Sequence, residues 1–142
     1  MQQRVSRHNW KQAQRSVHPR LLVESAEPVA AVSDFAAFTE AGFEVAVCSG
    51  PTHADDCPLL RGEHCELVSE ADVVLSCLDP AGGVADAIVA QRPDLPVIVE
   101  SARRPDGTLE PVPDGCVPLV FPSSVNGQVT TVRHAATAKR RD

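Results

Sequence analysis

Residues 20–48 read RLLVESAEPVAAVSDFAAFTEAGFEVAVC, and the succession of patterns in them decides the fold. Arg20-Leu-Leu-Val-Glu24 is a short apolar run stopped by Ser25-Ala-Glu-Pro28. Pro28 suits the first turn of a helix, where a missing N–H costs nothing. Val32, Phe35, Ala36 and Thr39 then fall on one helical face, and Gly42 stands where a C-terminal cap belongs. Phe43-Glu-Val-Ala-Val-Cys48 is a second strand. Strand, helix and strand with short joints predict a parallel, right-handed crossover.

Working outward, residues 49–70 hold Gly50, Pro51, Pro58 and Gly62, which limit any helix there to a turn or two. Ala71-Asp-Val-Val-Leu-Ser-Cys-Leu78 is apolar almost throughout, as a central buried strand should be. A loop at Asp79–Gly83 follows, then a short helix from Val84 to Arg92 with Val84, Ala87 and Ile88 inward. Pro96–Glu100 is the fourth strand. Residues 102–116 carry three prolines and two glycines, so no regular helix is expected. Val117–Phe121 is the fifth strand, and Pro118 marks it as an edge. Ser123 or Ser124 can cap a final helix whose apolar face is Val125, Val129, Val132 and Ala136. The predicted fold is a flavodoxin-like α/β three-layer sandwich. Its five-stranded parallel sheet runs in the order 2-1-3-4-5, and its second and fourth helices are shortened or replaced by loops.

Composition agrees. Four Phe, one Trp and no Tyr leave the core to Val, Leu, Ile and Ala. Residues 1–20 carry five basic residues and no acid, and 133–142 carry four against Asp142. With the whole chain at −6, a net −14 lies on 21–132. The expected organisation is a disordered basic arm at 1–18, in which Trp10 is the one residue able to dock, a domain at 19–138 and a basic tail at 139–142. The acidic body argues against nucleic acid except through those tails. No apolar run approaches the ~18–20 residues of a membrane span. The basic N-terminus meets no apolar stretch before Leu21, so a cytoplasmic location is expected.

With these elements placed, the chain resembles the receiver domains of response regulators, the CheY-like family, over residues 20–138. Leu21-Leu-Val-Glu-Ser-Ala-Glu-Pro28 looks like the strand running into an acidic pair before Glu-Pro. Ala71–Leu78 looks like the strand bearing the acceptor aspartate. Arg92–Ala102 is similar to the strand ending in Thr or Ser, and Leu119-Val-Phe-Pro122 resembles the Lys-Pro step. The resemblance places the pocket at Glu24, Ser25, Ala26, Cys77, Asp79, Ser101 and Phe121. In that register the acidic pair is Ser25-Ala26, the acceptor is Cys77 and the lysine is Phe121; only the hydroxyl survives, as Ser101. Phosphoryl transfer depends on placed charge, with cations on the moving group and carboxylates on the metal. The expectation is therefore a non-enzymatic pseudo-receiver, a regulatory module of signal transduction that contacts a protein partner or a second copy through its last helix. An alternative register puts weak Mg²⁺ binding at Glu24, Glu27 and Asp79, with Asp79 phosphorylated.

Cys48, His53, Cys57, His64 and Cys65 crowd into 18 residues. Such side chains hold zinc or an iron–sulfur cluster, so a metal- or redox-sensing domain is a second alternative. Against it, the cysteines form no C-x-x-C pair, and free cysteines as small hydrophobes are the first reading. Cys48 and Cys77 would end strands about 9–10 Å apart, and a Cys57–Cys65 disulfide would need oxidising conditions. No cofactor is expected. A dinucleotide site would need glycines after the first strand, where Glu24-Ser-Ala-Glu-Pro28 stands instead; Gly82-Gly83 reads as a helix-start turn. Ser76, Ser101, Ser123 and Ser124 have no histidine placed beside them, and His134 reads as solvent-facing, so no nucleophilic triad is expected.

Overall fold

The computed structural model describes residues 7–8, 10, 17–51, 56–121 and 123–141. The described elements are β1 (Arg7–His8), β2 (Arg20–Glu24), α1 (Pro28–Glu40), β3 (Glu44–Cys48), α2 (Glu66–Ser69), β4 (Val73–Ser76), α3 (Val84–Gln91), β5 (Val97–Ala102), β6 (Cys116–Phe121) and α4 (Val125–Arg141). The five strands from β2 onward are parallel and lie in the order β3-β2-β4-β5-β6. This is the expected 2-1-3-4-5 arrangement.

Strand alternation divides the apolar residues between two cores. Leu22, Ala46, Val74, Val97 and Val99 face α2 and α3, where Leu67, Val68, Val84, Ala85 and Ile88 meet them. Leu21, Val23, Val45, Val73, Leu75 and Ile98 face α1 and α4, where Phe38, Val132 and Ala136 close the layer. All five residues of β2 are buried, because it is covered on both faces and paired on both edges. Fully burying each large aliphatic side chain contributes about 1.5–3 kcal/mol, so these layers hold the sheet.

Helix α1 starts where Glu27 accepts a hydrogen bond from the Ala30 N–H at 2.6 Å, with Pro28 at its first turn. Its inward stripe differs from the expected one. Ala31 and Phe38 are buried and Phe35 packs beside them, while Val32, Ala36 and Thr39 face outward. The larger phenylalanines claim the sheet, and Phe38 meets Phe43 edge-on at 5.8 Å. In α3 it is Ala85, with Val84 and Ile88, that is fully buried; Ala87 packs only partly. In α4, Val132 and Ala136 are buried, Val129 is half-buried and Val125 is exposed. The Ser124 hydroxyl accepts from the Gly127 N–H at 3.0 Å and so caps this helix.

The second helix is a single turn, α2, as the prolines dictate. No helix forms in 102–116. Instead Arg103 bridges Leu109 in antiparallel fashion, and the Glu110 N–H donates to the Ala102 carbonyl at 2.9 Å, so the segment doubles back on β5. Among the described residues β6 pairs only with β5, and it is the edge that Pro118 marks.

Of the arm expected to be disordered at 1–18, the structure describes residues 7, 8, 10, 17 and 18. Arg7–His8 pairs antiparallel with β3, opposite Val47 and Cys48, and makes a sixth strand. Trp10 packs against the core, with the Arg20 guanidinium 5.3 Å from its ring centroid. Arg20 is itself buried, 3.0 Å from Glu44 and 3.2 Å from Glu70. A cationic, flat group at the sheet's lower edge thus gives the indole something to stack on. Among the described residues, no helix is long and apolar enough to cross a membrane.

Candidate functional site

In a sheet of this order the crevice opens at the carboxyl ends of β2 and β4, where the crossovers diverge to opposite sides. Glu24 ends β2, opposite Cys48 on one neighbour and Ser76 on the other. Its side chain turns inward on the α2 side and is buried. The Ser76 hydroxyl bonds to the carboxylate, but Oε1 has no hydrogen-bond partner. Burial pushes the Glu24 pKa up to about 7, with the Ser76 bond opposing. A cavity of about 10 Å³ adjoins it, lined by Leu22, Glu24, Cys48, Cys57, Cys65 and Leu67 among others.

Cys77 lies one residue beyond Ser76, so it points to the other face, toward α1. Its N–H donates to the Glu24 carbonyl at 2.7 Å. Burial first, then the carboxylates of Glu100 and Asp34, drive its thiol pKa far up, and the thiol donates a hydrogen bond to Glu100. Asp34 is also raised, by burial and then by Glu100. The Cys77 thiol thus faces two acids.

The remaining expected positions serve the local backbone. Ser25 is buried, its N–H donating to the Cys48 carbonyl at 3.0 Å; Ala26 is exposed. Asp79 is exposed and accepts from the Ala81 N–H at 3.0 Å, capping the turn Pro80–Gly82. The Ser101 hydroxyl is buried and donates to the Glu110 carbonyl, holding the 102–110 turn-back. Phe121 is half exposed. The alternative magnesium set does not assemble: Glu24 is inward, Glu27 caps α1 and Asp79 caps its own turn. Among the described residues, no three His, Cys, Asp or Glu side chains are placed to hold a metal ion.

Of the cysteine cluster, Cys48, Cys57 and Cys65 all line the cavity beside Glu24. His64 is exposed, and His53 lies outside the described residues. Cys77 is on the opposite face of the sheet, and none of the five cysteines is in a disulfide. Sequence reasoning missed Asp34 and Glu100. Each left a signal: Asp34 lies between Ala31 and Phe38 on the inward side of α1, and Glu100 follows the apolar run Val97-Ile-Val99 as Glu24 follows Leu21-Leu-Val23.

No family model matches the sequence, and no curated protein matches it. Solved structures do match. A response regulator receiver protein from Sinorhizobium medicae is 20% identical with a TM-score of 0.57, covering 87% of this chain and 98% of its own. The signal receiver domain of an HD domain-containing protein from Pseudomonas fluorescens is 15% identical with a TM-score of 0.58, covering 92% of this chain and 96% of its own. NtrX from Brucella abortus, solved in complex with ATP, is 17% identical with a TM-score of 0.60; the match covers 88% of this chain and 28% of NtrX. The chain has the fold of response-regulator receiver domains, the CheY-like arrangement of five parallel strands.

Proposed function

We propose that this chain is a regulatory domain of signal transduction that works through protein contact, without accepting a phosphoryl group. The observation that carries the reading is Cys77. The resemblance puts it at the acceptor position, and burial, Glu100 and Asp34 push its thiol pKa up. A phosphoryl group brought there would meet carboxylates where stabilisation of its transfer needs cations. Phe121 stands where the resemblance asks for lysine, and the Ser101 hydroxyl is committed to the Glu110 carbonyl. In this reading the partner is a protein, or a second copy through α4, and the contact does not wait for phosphorylation.

Acetyl phosphate or beryllofluoride with Mg²⁺ tests it. Intact mass and the amide NMR spectrum should stay as they are without the reagents. A phosphorylated species, with Asp79 as the site, would instead establish an atypical response regulator. Light scattering on the purified chain reads the second-copy arm of the proposal, because a monomer at all concentrations assigns the contact to another protein.

A further inference from the structure

Cys57 and Cys65 stand at the two ends of a tightly folded loop. The Glu63 N–H donates to the Pro58 carbonyl at 2.7 Å, the Arg61 N–H to the Cys57 carbonyl at 3.2 Å, and the Gly62 N–H to the Leu59 carbonyl at 3.0 Å. These bonds fold residues 57–63 back on themselves, two residues short of Cys65. Both cysteines are buried, both are free, and both line the cavity that Glu24 borders. At about 10 Å³ the cavity admits one small polar molecule, such as a water. The Glu24 Oε1 beside it is buried and has no partner, so it presents an unused acceptor to whatever enters.

We propose that Cys57 and Cys65 form a peroxide-reactive dithiol, with Glu24 as the group that takes the thiol proton. This inference does not depend on the function proposed above. The ionised Glu24 carboxylate accepts the proton of one thiol. The thiolate attacks a peroxide oxygen, the O–O bond breaks, and a sulfenic acid forms; the departing hydroxide takes the proton back from Glu24 and leaves as water. The second thiol then attacks the sulfenic sulfur, forming the disulfide and releasing a second water. Two thiols and one hydrogen peroxide give one disulfide and two waters.

Cys48 shares the cavity but is held in β3 between β1 and β2, where its backbone cannot adjust. The loop-borne pair can approach the Cα separation of about 4.4–6.8 Å that a disulfide demands. The poise of Glu24 near neutrality suits a group that must take and return a proton. The product would close the loop covalently beside the crevice and fix the segment that leads into α2.

The test exposes the folded, reduced chain to hydrogen peroxide, with glutathione in a parallel tube as the dose standard. Intact mass should fall by two hydrogens. Trypsin cuts after Arg61, between the two cysteines, and spares the Arg92–Pro93 bond, so residues 21–61 and 62–103 should travel together until reduced. In the Cys48→Ala/Cys77→Ala double variant those fragments hold only Cys57 and Cys65, which assigns the bond; fragmentation of the linked wild-type pair assigns it should that variant not fold. Glu24→Gln should slow the reaction at least about tenfold and remove the rise in rate as pH passes neutrality. The proposal is overturned by a native chain whose Cys57 and Cys65 both stay alkylatable at doses that consume glutathione. A bond formed through Cys48, or one that appears only after unfolding, overturns it equally. Wild-type rates in Glu24→Gln would strip Glu24 of its part.

Discussion

Glu24→Gln also probes the energetics of the crevice. The wild-type carboxyl is 3% exposed, and its pKa is pushed up from 4.5 to about 7, chiefly by burial. Between those two values the folded chain keeps a proton that the unfolded chain has already released. Stability therefore falls as pH rises through this window. The contribution is fully present below the unfolded value and gone above the folded one. At about 1.4 kcal/mol for each tenfold in affinity, the gap amounts to about 3 kcal/mol. That is a large part of the roughly 5–15 kcal/mol that holds a domain folded. Gln keeps the shape and carries no charge at any pH. The variant should match the wild type at about pH 4 and exceed it by about 3 kcal/mol at about pH 8.5. Urea unfolding followed by far-UV circular dichroism, run in pH steps on both proteins, gives the difference curve directly, and other titrating groups cancel in it. A flat difference across the window would refute the reasoning. A variant weaker than wild type at alkaline pH would do so more sharply, by revealing a positive charge paired with the ionised carboxylate.

Arg20→Met should destabilise the domain by about 3 kcal/mol, because it strips a buried charge from Glu44 and leaves that acid desolvated; an unchanged urea midpoint contradicts this. The same variant should shift Trp10 emission to the red as the indole loses the guanidinium it stacks on. Gly50→Ala should cost more than Gly62→Ala. Both glycines have φ near +80° (+81° and +76°), and a left-handed non-glycine costs about 1–3 kcal/mol. A Cβ at Gly50 would also stand 2.9 Å from the Leu78 methyls, whereas Gly62 faces open space. Equal losses in thermal melts would show that Leu78 yields freely. Ser101→Ala should cost about 1 kcal/mol and speed amide exchange at Glu110, whose carbonyl loses its donor; unchanged exchange there means the turn-back stands without the hydroxyl.

The elements that local pattern could identify were those whose burial is two-sided or whose punctuation is strong. β2 and β4 are continuous apolar runs because both faces are covered, and prolines and glycines mark where α2 is cut short and where 102–116 fails to coil. The inward stripe of α1 was not legible in the same way. Val29, Val32, Phe35 and Phe38 offer two competing apolar faces, and only the space over β2 and β3 selects the aromatic one. β1 is two residues long and owes its existence to the open edge of β3 and to Arg20 beneath Trp10, neither of which is a local property.

The candidate site shows why one residue of register decides chemistry. Cys48, Glu24 and Ser76 are paired across β3, β2 and β4, so Glu24 shares its face with Cys48, Cys57 and Cys65. Cys77 is a single step further and falls on the other face, among Asp34 and Glu100. A cysteine count along the chain groups all of these thiols, while the pleat separates them. The crevice is therefore two compartments back to back: two thiols beside a carboxyl with one unpartnered oxygen on the α2 side, and a thiol among acids on the α1 side. Because the sheet stands between them, substitution of Glu100, which has no part in the Glu24 environment, should leave oxidation of Cys57 and Cys65 unaltered, as independent sites require. Coupling between the two would run through Glu24, whose charge reaches the Cys77 thiol and whose carbonyl accepts from the Cys77 N–H at 2.7 Å.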